Sequence, residues 1–135
     1  MRSGIISIGD NLFETLLAIS SQEQERGLMY MEPPTPNMAF IYAQPGINKF
    51  WMANTPAPLD IVFCHAGKVI EICAGEPYST RIIGPNQFSD LVVEFPYGTA
   101  KLSGIKVGHH IGLLKPTPEE LKQIIAEKYH GIVKI

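Results

Sequence analysis

The chain has 135 residues, enough for one domain and for a core that closes without metal or disulfide. Its 45% apolar and 18% charged residues exclude a disordered chain, and a net charge of −2 with scattered Lys and Arg lacks the basic stripe that nucleic acid or anionic lipid requires. No stretch approaches the ~20 apolar residues that span a bilayer, and Asp10, Asn11 and Glu14 follow the start too soon for a signal peptide; the expectation is a cytoplasmic protein with no nucleic-acid or membrane partner.

In chain order, residues 4–8 and 13–19 read as strands separated by the turn-forming Gly9-Asp10-Asn11. Ser20-Ser21-Gln22-Glu23 reads as a capping box, a serine hydroxyl accepting a free backbone N–H while Glu23 reaches back, and predicts a helix over 21–29. Pro33-Pro34-Thr35-Pro36 cannot extend it and reads as a loop. Strands are predicted at 38–43, 47–53, 59–65 and 68–74, the last two a hairpin turned at Ala66-Gly67. The stretch 76–90 carries Pro77, Gly84, Pro85 and Asn86 and reads as a long irregular loop. Further strands are predicted at 91–95, 100–103 and 109–113.

At the C-terminal end, Thr117 is a good N-cap, Pro118 occupies the favoured first position, and Glu119 and Glu120 face the positive end of the helix dipole. Leu121, Ile124, Ile125 and Tyr129 mark one apolar face, and Gly131 is a natural terminator. The apolar tail 132–135 needs somewhere to dock. Many short strands with only two helices predict a mostly β fold, a small antiparallel β-sandwich or partly closed barrel. The division expected is a β domain over 1–115 with a C-terminal helix and tail over 116–135.

Arg26-Gly27-Leu28-Met29, Met38-Ala39-Phe40-Ile41-Tyr42, Phe50-Trp51-Met52 with Asn54-Thr55, and Pro58-Leu59-Asp60-Ile61-Val62-Phe63 closely resemble, in order and spacing, the domain of unknown function 192 family. Val93-Glu94-Phe95 with Gly98, Gly104 and Gly108 resembles the family's closing strands, and the resemblance spans roughly residues 12–114. It implies a small β-rich fold and no established activity. The family usually carries Lys where this chain has Ala53, and often Arg where it has Met31, so an anionic ligand held by those cations is not implied here.

A two-residue hairpin loop pairs 65 with 68, 62 with 71 and 60 with 73, and side chains alternate across a strand. Asp60 and Glu71 then share a face, diagonal to one another, where paired carboxylates divide acid and base roles when their environments differ. The structural alternative has Asp60 paired with Arg26 or accepting backbone N–H groups from the Asn54-Thr55 turn while Glu71 is solvated, and it carries more weight. Trp51, the only tryptophan, either lines a concavity and stacks on a planar ligand or fills the core. Asn54 shapes a turn or presents its amide to a ligand. Arg26 bridges to Asp60 or Glu94, or binds an anion.

His109 and His110, adjacent in a strand, face opposite sides, and His65 and His130 have no companions at ligand spacing, so no metal is expected and no cofactor motif is present. Cys64 and Cys73 are expected as free thiols. The leading expectation is a non-enzymatic small-ligand-binding or accessory domain with a surface formed by Arg26, Trp51, Asn54 and Asp60. The alternatives are a small hydrolase or isomerase using Asp60 and Glu71, and an interaction protein whose C-terminal helix docks a partner or a second copy.

Overall fold

The computed structural model describes the backbone of residues 1–133 and side chains up to residue 127. The expectations placed on Tyr129, His130 and the tail 132–135 lie outside the described side chains. Among the described residues the elements run β1 (Arg2–Ile8), β2 (Asn11–Ala18), α1 (Ser21–Arg26), β3 (Met38–Gly46), β4 (Leu59–His65), β5 (Lys68–Gly75), β6 (Ser89–Pro96), α2 (Thr99–Leu102), β7 (Ile111–Lys115) and α3 (Pro118–Val133). The strands form one sheet in the order β5-β4-β6-β3-β2-β1-β7. It curls into a half-barrel whose ends approach where Val69 donates to the His109 carbonyl and Ile111 to that of Gly67, each at 2.9 Å. The fold is thus mostly β and partly closed. One pair departs from the antiparallel expectation: β2 and β3 run parallel, because the crossover through α1 returns the chain in the same direction.

The curled sheet buries both faces. Inside lie Ile6, Ile8, Leu17, Ala39, Ile41, Val62, Cys64, Val69, Val93, Phe95 and Ile111. Outside lie Ala18, Leu28, Met38, Phe40, Met52, Leu59, Ile61, Phe63 and Val92. Strict alternation along β3, β4 and β6 assigns neighbours in sequence to opposite clusters, so these strands read as continuous apolar runs. Ile124 of α3 joins the inner cluster, with Leu121 and Ile125 packed against it, and the helix continues past Gly131 to Val133.

Three predicted elements differ. α1 ends at Arg26 rather than at residue 29, because Gly27 turns the chain with φ 51° and sends Leu28 into the outer cluster. Its start is the expected capping box: Glu23 N–H donates to Ser20 Oγ at 3.2 Å and Ser20 N–H to Glu23 Oε1 at 3.0 Å. Residues 47–53 form no strand beyond one bridge between Phe50 and Ile83. Both edges of β3 are already taken by β2 and β6, so this segment packs across the outer face through side chains. Residues 100–103 fall mostly in the short helix α2, not in a strand. Gly98, at φ 95°, turns the chain there, and the Asp60 carboxylate accepts the N–H groups of Gly98 and Ala100, both at 3.0 Å.

Candidate functional site

The hairpin of β4 and β5 begins in the expected register, with His65 opposite Lys68, then shifts between Phe63 and Cys64. Beyond the shift Phe63 faces Glu71, Val62 faces Ile72 and Asp60 faces Ala74. A one-residue slip moves every later side chain to the other face. Glu71 therefore joins the outer face, while Asp60, opposite Phe95 on β6, lies on the inner one. The expected acid–base geometry is not formed. Asp60, 7% exposed, fixes the start of α2 instead, and Glu71 accepts a hydrogen bond from the Cys73 thiol at 3.2 Å.

On the outer face a cleft of about 520 Å³ opens between α1 and residues 49–55. Phe40 and Tyr42 of β3 and Glu94 of β6 form its floor; Phe50, Trp51 and Thr55 form one wall, and the end of α1 with Gly27 the other. Phe50 meets Phe40 edge-on with ring centroids 4.9 Å apart, and Phe63 at 5.6 Å. These contacts hold the 49–55 wall against the sheet. Trp51, between the inward Phe50 and the fully buried Met52, points the other way and stays 49% exposed at the rim.

Glu94 is the unusual group. It is 4% exposed, lies beside Met38 and Ile61 on neighbouring strands, and its Oε1 has no hydrogen-bond partner. Burial pushes its carboxyl up to about 8, so it is largely protonated at neutral pH. The adjacent Tyr42 phenol is also driven above its ordinary range, by burial first and by Glu94 second. Gly27 borders this group: a Cβ there would make ordinary contacts, 3.4 Å from the Phe40 ring and 3.6 Å from Glu94 Oε1, so its φ of 51° rather than space favours the glycine.

Of the residues singled out in the sequence, the structure brings Arg26 and Trp51 to one cleft and leaves Asn54 and Asp60 outside its lining. Arg26 lies over the Tyr30 ring at 5.7 Å, and no ion pair to it occurs among the described residues. Asn54 adopts φ 57°, which asparagine tolerates, and its carbonyl accepts the Tyr30 N–H at 2.8 Å. Cys64 and Cys73 are free thiols, each pushed up to about 12, chiefly by burial, so neither is an activated nucleophile. No group of three or more His, Cys, Asp or Glu side chains placed to hold a metal occurs among the described residues.

The sequence profile of the domain of unknown function 192 family, described as "Uncharacterized ACR", matches residues 5–113. The chain belongs to this family. Two solved structures are similar to it. One is a protein of unknown function from Novosphingobium aromaticivorans, 28% identical over 83% of this chain and 86% of that one, with a TM-score of 0.78. The other, from Sinorhizobium meliloti and described only as a candidate transcription regulator, is 26% identical over 83% of this chain and 94% of that one, with the same TM-score of 0.78. No curated protein matches.

The sequence blocks that carry the likeness to the domain of unknown function 192 family supply most of the cleft: Arg26 to Met29, Phe40 with Tyr42, Phe50 with Trp51, and Glu94. Ala53 and Met31 lie outside its lining, Met31 packing on the outer cluster. Sequence reasoning had Glu94 only as part of a closing strand or a partner for Arg26. The available signal was a lone acid inside Leu91-Val92-Val93-Glu94-Phe95: a strand buried on both faces leaves its one charged member no route to water.

Proposed function

We propose that this protein binds a small organic molecule in the outer cleft, as a binding or accessory domain rather than a catalyst. The observation that carries the reading is Glu94, a buried acid with a partnerless oxygen on the floor of a cleft that it shares with the rings of Phe40, Tyr42, Phe50 and Trp51. Ligand sites are typically apolar concavities of about 300–1,000 Å³ with a few fixed polar groups, often of perturbed pKa, and this cleft fits that description. Compared with the surface expected from sequence, the site keeps Arg26 and Trp51 and gains Tyr42 and Glu94. The separation of Asp60 from Glu71 and the protonated thiols favour binding over hydrolase or isomerase chemistry.

Trp51 is the sole tryptophan and stands at the rim, so its fluorescence reports occupancy directly. A thermal-shift screen of small metabolites, followed by titration of each hit against Trp51 emission, tests the reading. Measured by calorimetry, because the variant lacks the emission probe, hits are expected to weaken about fivefold or more in a normally folded Trp51→Ala protein, since an aromatic contact contributes about 1–3 kcal/mol. Hits that bind Trp51→Ala unchanged overturn it.

A further inference from the structure

Building on that reading of the cleft, we propose that its occupant is a small organic cation, an ammonium group set against Glu94 with its apolar part beside Tyr42, Phe50 and Trp51. The lining argues for this in three ways. Glu94 is 4% exposed and its Oε1 meets no donor among the described residues, so it offers an acceptor to a molecule entering the cleft. The rings of Phe40, Tyr42, Phe50 and Trp51 line the same space, and ring faces attract cations most strongly where water is excluded. The cleft's own cations are engaged elsewhere: Lys49 Nζ donates to the Gly84 carbonyl at 2.6 Å and to Asn86 Oδ1 at 2.8 Å, and Arg26 lies over Tyr30.

The charged and titratable groups around Glu94 are few. Tyr42 comes from β3, Glu25 and Arg26 from α1, and Lys49 from the 49–55 wall, whereas β4 presents only Leu59, Ile61 and Phe63 on this face. With Glu94 raised to about 8, burial being the cause, the empty cleft holds a proton that an incoming cation displaces to the buffer. An anion would sit over an acid it must keep protonated. A neutral acceptor would use that same proton as a donor, and its binding would weaken as pH rises.

The test uses 2-phenylethylammonium as the cation, phenylacetate as an anion and 2-phenylethanol as a neutral molecule, each titrated against Trp51 fluorescence and by calorimetry in phosphate and Pipes. The cation is expected to bind best, to tighten about tenfold from pH 6 to pH 7 as the deprotonated fraction of Glu94 grows, and to release a proton seen as a buffer-dependent enthalpy. Glu94→Gln is expected to weaken it at least tenfold and to abolish the pH dependence. Because the wild-type pH profile stands without any variant, a misfolded Glu94→Gln does not rescue the idea. Cation binding that is independent of pH, or preference for phenylacetate or 2-phenylethanol, overturns the cation while leaving the site. No response to any of the three also overturns the cation, and the site itself then stands or falls on the Trp51→Ala comparison.

Discussion

Replacing Glu94 by Gln removes one titration while keeping the side chain's shape and hydrogen-bonding capacity close to that of the protonated acid. In the folded chain Glu94 is raised from 4.5 to about 8 by burial. An acid whose folded pKa lies above its unfolded value stabilises nothing by ionising. Between those pH values the folded state binds more protons than the unfolded one, so stability falls as pH rises from about 4.5 and levels off above 8. At about 1.36 kcal/mol per pH unit, the wild type loses about 1 kcal/mol by pH 5, about 3 by pH 7 and about 4 by pH 8, relative to its value in acid. The glutamine variant does not carry this loss. The difference between the two proteins, read from urea unfolding followed by circular dichroism at each pH, is therefore expected to grow by about 3 kcal/mol between pH 5 and pH 8. A difference that stays flat across that range would mean Glu94 titrates normally, and the account of a desolvated acid in the cleft would be refuted.

Asp60→Ala removes the acceptor of two N–H bonds at the start of α2 and is expected to lower stability by about 3 kcal/mol without changing ligand binding, since Asp60 lies on the inner face; an unchanged urea midpoint would refute the capping role. Gly84→Ala places a Cβ 2.9 Å from the Asn48 carbonyl oxygen and 3.0 Å from the Phe63 ring, at φ +135°. It should cost about 2–3 kcal/mol by the same measurement. Cys64 and Cys73, raised to about 12, should hold about a thousandfold less thiolate at pH 8 in the native protein than in urea and react with iodoacetamide correspondingly more slowly. Rapid native alkylation of Cys73 would contradict its bond to Glu71.

The legible parts of the fold were those written in local chemistry. Ser20 with Glu23, Gly9 between β1 and β2, Ala66-Gly67 in the hairpin and Pro118 at the head of α3 each act within a few residues of where they stand. The misread parts depend on partners far along the chain. The 47–53 stretch has strand-like composition, but the sheet had no free edge for it. Residues 100–103 turn into a helix because an acid some forty positions earlier caps them. The hairpin's register slipped at one bulge, and that alone moved Glu71 away from Asp60. Arg26 was visible as a candidate because it has no apolar role and Trp51 because a tryptophan can stack on a ligand as well as fill a core, whereas Glu94 was hidden in a strand that looked purely structural.

Asp60 and Glu94 are buried to nearly the same degree, on strands that pair with each other, and differ in what surrounds them. Asp60 receives two backbone N–H groups, so its burial is compensated inside the protein. Glu94 Oε1 receives none, and at pH 7 the acid costs the fold about 3 kcal/mol relative to its protonated state in acid. A ligand that binds only the folded chain stabilises it by about 2.7 kcal/mol when present at a hundred times its Kd. A cation bound at that level would offset nearly the whole penalty, and it would do so by ionising the group that creates it. An uncompensated acid is thus the cleft's least stable feature when empty, and on the proposed reading it would be the strongest point of attachment when the cleft is filled.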